Sequence, residues 1–345
     1  MKPKSSRLYI KIYNDILQKI KNEVYKPGDK LPTEMEIAAI YNVSRVTARR
    51  ALKMLENINL IYRIKKSGTF VNGKRSSSSS QKIIPIILPY EENLNMGIIE
   101  GSQNYGILYN CFTPFFNSAN SATKEREILS TILKMRVDGL ICYPCSIYDN
   151  LDLFAQCKCE NIPLVFLDHR IDGFKAPLIS SDNENGMFRV TDKLIEKGHR
   201  DIAFFFVNEQ MTSSERERLR GYLEAMIQHD IPVNNERIFH MPINSYDRNL
   251  TVTKQSEQFG KHVNLFVSEL QAMKNRPTAI CCINDVSAAT LALAIRNAGD
   301  PSLEEIELTG FDNLRSNGTF ITVQQDFNAL GSSAVKTVLD MLDGK

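Results

Sequence analysis

The sequence predicts an α/β protein in two parts, a small winged helix-turn-helix head followed by a body of one doubly wound parallel α/β domain, or two of them. Three observations lead there. Residues 1–75 hold 17 Lys and Arg against 6 Asp and Glu, while the remaining residues hold 25 against 34, so the net charge of +2 conceals a basic head beside an acidic body. Between the two, Ser76 to Ser80 form a polar tract that cannot bury enough surface to fold alone. From Ile83 onward, apolar runs of four to six residues alternate with helical stretches, the pattern of parallel strands covered on both faces. The expected domains are therefore residues 1–75, a Ser-rich linker over 76–82, and a body over 83–345. A chain of 345 residues at 43% hydrophobic is too long for one ordinary domain and too apolar to be disordered.

The head is legible element by element. Tyr9, Ile12, Tyr13, Ile16 and Ile20 recur on one face of a first helix that ends before Lys26-Pro27-Gly28. After Pro32, Thr33 and Glu36 have capping-box spacing, so a second helix starts near Thr33. It closes at Tyr41-Asn42, where asparagine tolerates the left-handed conformation, and Ser44 is placed to cap a third helix. In that helix Ala48, Ala51, Leu52 and Leu55 face inward, which leaves Arg45 and Arg49 facing out one turn apart, with Thr47 and Arg50 beside them. Ile61 to Ile64 and Thr69 to Val71 read as a hairpin with Lys65, Lys66 and Gly68 at its tip.

Arginine forks grip phosphates or the O6/N7 edge of guanine, and threonine hydroxyls bond phosphates, so this face suits double-stranded DNA. Three stretches carry a resemblance. Lys30-Leu31-Pro32-Thr33-Glu34, Val43 through Leu52, and Gly68-Thr69-Phe70-Val71 resemble the signatures of the GntR-family DNA-binding domain over nearly all of residues 7–72. The resemblance implies that Arg45, Thr47 and Arg49 contact DNA from the recognition helix, that Thr33 touches the backbone, and that Gly68 lets the wing approach the minor groove. Ser44, Arg50, Lys65 and Lys66 complete the candidate face. The family often carries arginine where this chain has Met35, so that contact is not carried over.

In the body, the strand candidates are Ile83–Leu88, Ile107–Phe112, Gly139–Tyr143, Leu164–Leu167, Ile202–Val207, Thr278–Ile283 and Ile306–Gly310. In doubly wound sheets ligands bind beyond the carboxyl ends of the strands. The polar residues at those ends are Asp168-His169-Arg170, Asn284-Asp285 and Asp312-Asn313. Each aspartate also stands where a helix cap would; together at one rim, carboxylates and amides suit a hydroxyl-rich ligand, because each fixes a vicinal diol by paired hydrogen bonds.

Six ordered segments carry a second resemblance: Ser181 through Gly186, Gly198 through Ala203, Arg218-Leu219-Arg220-Gly221-Tyr222, Pro277 through Ile280 with Asn284-Asp285, Gly310-Phe311-Asp312, and Thr322 through Phe327. They resemble the effector domains of LacI/GalR-type regulators, two-lobed and periplasmic-binding-protein-like (type I). That resemblance implies sugar contacts from Asp168, Arg218, Asn284 and Asp312, with Gln325 near the ligand or the hinge; Asp285 joins them as a rim residue. Tyr90 and Tyr246 are candidates for the aromatic that stacks on the sugar.

Other chemistries find no support. Cys142, Cys145, Cys157 and Cys159 lie in short range, but Cys142 falls in a strand, and Cys157 and Cys159 point apart on a helix; no metal and no cofactor is expected. His169 and His199 have no readable nucleophile partner, and neither a P-loop nor a GxGxxG turn is present, so no enzyme activity is expected. No apolar run reaches membrane-spanning length and the N-terminus lacks a secretory signal, so a cytoplasmic protein is expected. The reading is a sugar-responsive transcription regulator, a repressor resembling the arabinose-repressor type, acting as a homodimer on a pseudo-palindromic operator. The alternatives are a body that senses a purine or only dimerises, and a cytoplasmic sugar-binding protein.

Overall fold

The computed structural model describes residues 4–22, 24–26, 28–57, 60–64, 67–72, 81–89, 93–206, 211–240, 252–313 and 318–345. Helix α1 (Lys4–Lys21) buries Ile12, Tyr13, Ile16 and Leu17, the stripe its spacing requires. Helix α2 (Glu34–Ile40) opens on Thr33, whose side chain accepts from the Glu36 N–H while Glu36 accepts from the Thr33 N–H. That capping box fixes where the helix starts. Asn42 turns the chain with φ 49°, and the Ser44 hydroxyl accepts from the Thr47 N–H at 3.2 Å to open α3 (Arg45–Asn57). Ala48, Ala51, Leu52 and Leu55 of α3 are wholly buried against α1 and α2. Strands β1 (Ile61–Ile64) and β2 (Gly68–Val71) pair antiparallel as the wing, with Ile61 opposite Val71. Gly68 has φ +133°, a backbone conformation that side chains rarely adopt, so the turn calls for glycine there.

The body has two lobes of the same design. The first contains β3 (Lys82–Ile83), β4 (Ile86–Leu88), α4 (Asn93–Leu108), β5 (Cys111–Phe112), β6 (Phe115–Asn117), α5 (Ala122–Lys134), β7 (Leu140–Cys142), α6 (Leu151–Cys159), β8 (Leu164–Leu167) and β9 (Leu178–Ile179). Its main sheet runs β6-β4-β7-β8-β9, all parallel. The chain then crosses into the second lobe. There lie α7 (Asn183–Glu196), β10 (Ile202–Phe206), α8 (Ser213–Gln228), β11 (Ile238–His240), α9 (Val252–Ala272), β12 (Ala279–Cys282), α10 (Asp285–Ala298), α11 (Pro301–Glu304), β13 (Glu307–Asp312) and β14 (Ile321–Gln324). This sheet runs β11-β10-β12-β13-β14, again parallel throughout. Both orders reverse direction beside the first strand of the sheet, and a ligand crevice is expected at the carboxyl ends there.

After β14 the chain crosses back, and α12 (Phe327–Leu342) packs on α4 and over β7, β8 and β9 of the first lobe. Gly101 of α4 permits the close approach: a Cβ there would lie 2.1 Å from the Asn328 carbonyl oxygen. Strands β8 and β12 are buried along their whole length. In the second lobe Phe205 stacks on Phe266 with centroids 4.7 Å apart; burying one such side chain contributes roughly 1.5–3 kcal/mol.

Two strand expectations need correction. Ile83–Leu88 is interrupted: β3 and β4 belong to different sheets, divided at Pro85, whose nitrogen cannot donate to a ladder. Of Ile107–Phe112, Ile107 and Leu108 belong to α4 and only Cys111–Phe112 is strand. Four short strands, β6, β9, β11 and β14, were not anticipated. The Ser76–Ser80 tract and Val207 lie outside the described residues.

Candidate functional site

The first candidate surface is the outer face of α3. Arg45 and Arg49 are exposed, one turn apart, and both turn their Nε atoms to Glu34 of α2 at 3.1 Å. Arg63 of β1 reaches the same carboxylate at 2.9 Å. The Arg49 hydrogen bond, with those of Arg63 and Arg45, outweighs burial and holds the Glu34 carboxyl down at about 2. Thr47 shares a 2.8 Å hydrogen bond with the Ser44 hydroxyl. Thr33 is occupied with the cap of α2, and Arg50 turns aside to stack on the Tyr9 ring at 4.0 Å. Gly68 sits at the described edge of the wing; Lys65 and Lys66 lie outside the described residues.

The second is the crevice between the lobes. Asp168 and His169 follow β8 of the first lobe; Asp312 ends β13 of the second, and Gln325 follows β14 where the chain crosses back. Arg218, on α8, is buried between them. Its Nη2 lies 4.0 Å from Asp168 Oδ1 and 3.7 Å from Asp312 Oδ1, its Nη1 donates to the Ile283 carbonyl at 2.9 Å, and its Nε donates to Asn183 Oδ1 at 3.0 Å. The guanidinium stacks on Phe311, 4.0 Å from the ring centroid. Gln325 Nε2 donates to Asp312 Oδ1 at 2.6 Å. Four residues of the sequence reading, Asp168, Arg218, Asp312 and Gln325, thus form one polar cluster.

The two carboxylates are tuned apart. Burial pushes Asp168 up, but the His169 hydrogen bond and charge, Arg218 and Ser214 outweigh it and hold the group down at about 2. Burial dominates at Asp312 and, with Asp168 and Asp285 as like charges, pushes it up to about 7 against Arg218 and Gln325. Both residues have positive φ, 64° at Asp168 and 114° at Asp312. Aspartate tolerates the first value, as asparagine does at position 42, whereas residues other than glycine avoid the second, so Asp312 carries local strain within the site.

The remaining rim residues are drawn inward. Asn284 Oδ1 caps α10, accepting from the Ser287 N–H at 2.8 Å. Asp285 is wholly buried and accepts from the Thr322 hydroxyl at 2.5 Å. Tyr90 and Tyr246 lie outside the described residues.

Several site residues escaped the sequence reading. Ser214 donates to Asp168 Oδ2 at 2.8 Å, tying the first turn of α8 to the other lobe, and the Ser213 hydroxyl accepts from the Arg170 N–H at 3.1 Å. Arg216 pairs with Asp172 across the same seam at 2.9 Å. His169, set aside as a catalytic base, shares its Nδ1 with Asp168 Oδ2 at 3.2 Å; its Nε2 is buried and meets no hydrogen-bond partner among the described residues. A single serine announces nothing by spacing. The histidine was legible only as part of its rim.

Comparison with known proteins fits this architecture. Residues 8–71 match the bacterial regulatory proteins of the gntR family, and residues 191–345 match the periplasmic binding protein-like domain. The whole chain is 30% identical over 359 residues to the arabinose metabolism transcriptional repressor of Geobacillus stearothermophilus, spanning 99% of this chain and 93% of that protein. The chain belongs to this family of transcriptional repressors. The protein of the same description from Halalkalibacterium halodurans is 26% identical, over 96% of this chain and 89% of that one. Among solved structures, the transcription regulator CcpA of Lactococcus lactis superposes with a TM-score of 0.64 at 20% identity, covering 77% of this chain and 93% of that one. A ribose operon repressor from Burkholderia thailandensis superposes at 0.63 and 21%, covering 77% and 94%. These two establish the fold of the body. The repressor binds DNA through its winged head and is a regulator, not an enzyme. Among the described residues, no group of acidic, His and Cys side chains could hold a metal ion, and no helix is long and apolar enough to cross a membrane.

Proposed function

We propose that the repressor is released from its operator by a monosaccharide bound between the two lobes, in contact with Asp168, Arg218, Asp312 and Gln325. The observation that carries this reading is the Arg218 guanidinium, buried and stacked on Phe311 between carboxylates contributed by opposite lobes. Carboxylate, amide and guanidinium groups converging from both lobes can each take two neighbouring hydroxyls, and a ligand that bridges them favours the closed cleft. The unpartnered His169 Nε2 adds a hydrogen-bonding group to the same pocket. Two copies of the chain would set two heads on a pseudo-palindromic operator, so a change between lobes is read out as a change in head spacing. Effector and operator affinity are then coupled reciprocally.

The test is a thermal-shift panel of monosaccharides, with L-arabinose first because relatives are named for arabinose metabolism, and purine bases as the comparison arm. A ligand that binds only the folded state adds about 2.7 kcal/mol of stability at a hundredfold excess over Kd, and so raises the melting temperature. A shift with one sugar, lost in Asp312→Ala, supports the reading. A shift with purines alone, or with none, refutes it.

A further inference from the structure

The DNA-reading face contains one acidic side chain with three arginines on it. Glu34 stands at the start of α2, only 13% exposed, and takes Arg45 and Arg49 from the recognition helix and Arg63 from the wing strand, all within 3.1 Å. Three separate elements therefore meet at a single carboxylate. A head that binds a polyanion gains affinity from every cation it exposes, so a carboxylate there works against nonspecific attraction. The cap of α2 is made by Thr33 and Glu36, so Glu34 is not the residue that starts the helix. Its geometric effect is to hold Arg45 by Nε and Arg49 by Nε and Nη2, while the side chains of Arg45 and Arg49 remain 60% and 56% exposed. Arg45 held by Nε keeps both terminal nitrogens for other partners, and Arg49 keeps Nη1 and the second hydrogen of Nη2, enough for paired bonds to guanine O6 and N7.

We propose that Glu34 is a specificity-positioning residue: it orients Arg45 and Arg49 for base edges, joins them to the wing through Arg63, and screens their charge from indiscriminate phosphate contact. Arg45 and Arg49 are then costly to transfer to a phosphate, which must compete with Glu34, and less costly to place against a guanine, which leaves the Nε contact in place.

The experiment compares Glu34→Gln with the wild type on two duplexes, one enriched from a random-sequence pool by the wild-type protein and one scrambled duplex of equal length. Glu34→Gln should bind the scrambled duplex about tenfold more tightly at low salt, with the slope of log K against log salt steeper by about 0.9, one additional phosphate contact. Discrimination between the duplexes should fall about tenfold. Glu34→Asp, which keeps the charge, should restore the slope. Glu56→Gln, which touches Arg63 only at 3.7 Å, should leave discrimination unchanged. An unchanged slope and unchanged discrimination in Glu34→Gln would overturn the proposal. So would equal loss of binding to both duplexes, which would make Glu34 a support for the helix and nothing more.

Discussion

The Ser181 hydroxyl donates to Gln325 Oε1 at 2.5 Å, joining two residues that stand at the two described places where the chain passes between lobes. Gln325 then donates to Asp312 at 2.6 Å, so the crossings are wired directly to the carboxylate of the candidate effector pocket. A group in that position feels both the ligand and the angle between the lobes.

Ser181→Ala should therefore leave sugar affinity within about threefold while reducing the change in operator affinity that sugar produces. Couplings of this kind amount to about 5- to 150-fold, and a loss of tenfold in the variant would be readily measured. Operator titration with and without saturating sugar, set beside calorimetry of sugar binding, separates the two effects.

Asp312 makes stability depend on pH. Its folded pKa, pushed up to about 7, exceeds the unfolded value of about 3.9, so its contribution is full below about pH 4 and is lost as pH rises through 7. Asp168, held down at about 2, works oppositely: its contribution is present above about pH 4 and is lost as pH falls toward 2. Asp312→Asn should thus stabilise the ligand-free protein at pH 8 by on the order of 2 kcal/mol, with the gain shrinking as pH falls below 7 and vanishing only below about pH 4. Urea unfolding at intervals from pH 5 to 8.5 would show the wild-type midpoint falling where that of the variant stays level.

Arg218→Met should cost about 3–5 kcal/mol, because it leaves buried Asp312 without its cation and Asp168 with His169 alone. The sugar-induced melting shift should disappear with it. Binding of the enriched duplex at 25 °C should change less than threefold, since Ile12, Leu52 and Ile61 of the head share their apolar cluster with the first lobe, whereas Arg218 lies on α8 of the second.

Arg45→Ala combined with Arg49→Ala should weaken binding to the enriched duplex by at least a hundredfold and flatten the salt dependence, each lost cation removing up to about 0.9 from the slope. The sugar-induced melting shift should survive unchanged. Fluorescence anisotropy at three salt concentrations checks both parts.

The sequence was most readable where one physical requirement acted alone. Leu164–Leu167 is buried on both faces and carries nothing but apolar side chains, so its limits as β8 were visible in advance. The capping pair Thr33 and Glu36 was equally plain, because its spacing is set by backbone donors within one turn. Ile107 and Leu108 misled because the end of α4 is apolar and continues without a polar break toward Cys111. Edge strands of two or three residues, such as Leu178–Ile179, are too short to show a period. Asp168 and Asp312 were legible at strand ends and Arg218 and Gln325 by motif resemblance, but the meeting of all four depends on two lobes that no local pattern encodes. Ser181 and Ser214 act through one hydroxyl each, whose partners are 144 and 46 residues away in the sequence.

The return of α12 to the first lobe governs the order in which a nascent chain can finish its parts. The sheet of β4, β7 and β8 is made early, yet the apolar face it shares with α4 stays only partly covered until Phe327–Leu342 leaves the ribosome. The second lobe needs nothing from beyond β14 to close its own core around Phe205 and Phe266. A transcript truncated before residue 327 would thus yield a protein with a finished winged head, a finished second lobe and an adhesive first lobe, the kind of surface that chaperones hold and proteases clear. Repression by such fragments would be limited by their lifetime, whatever their affinity for DNA.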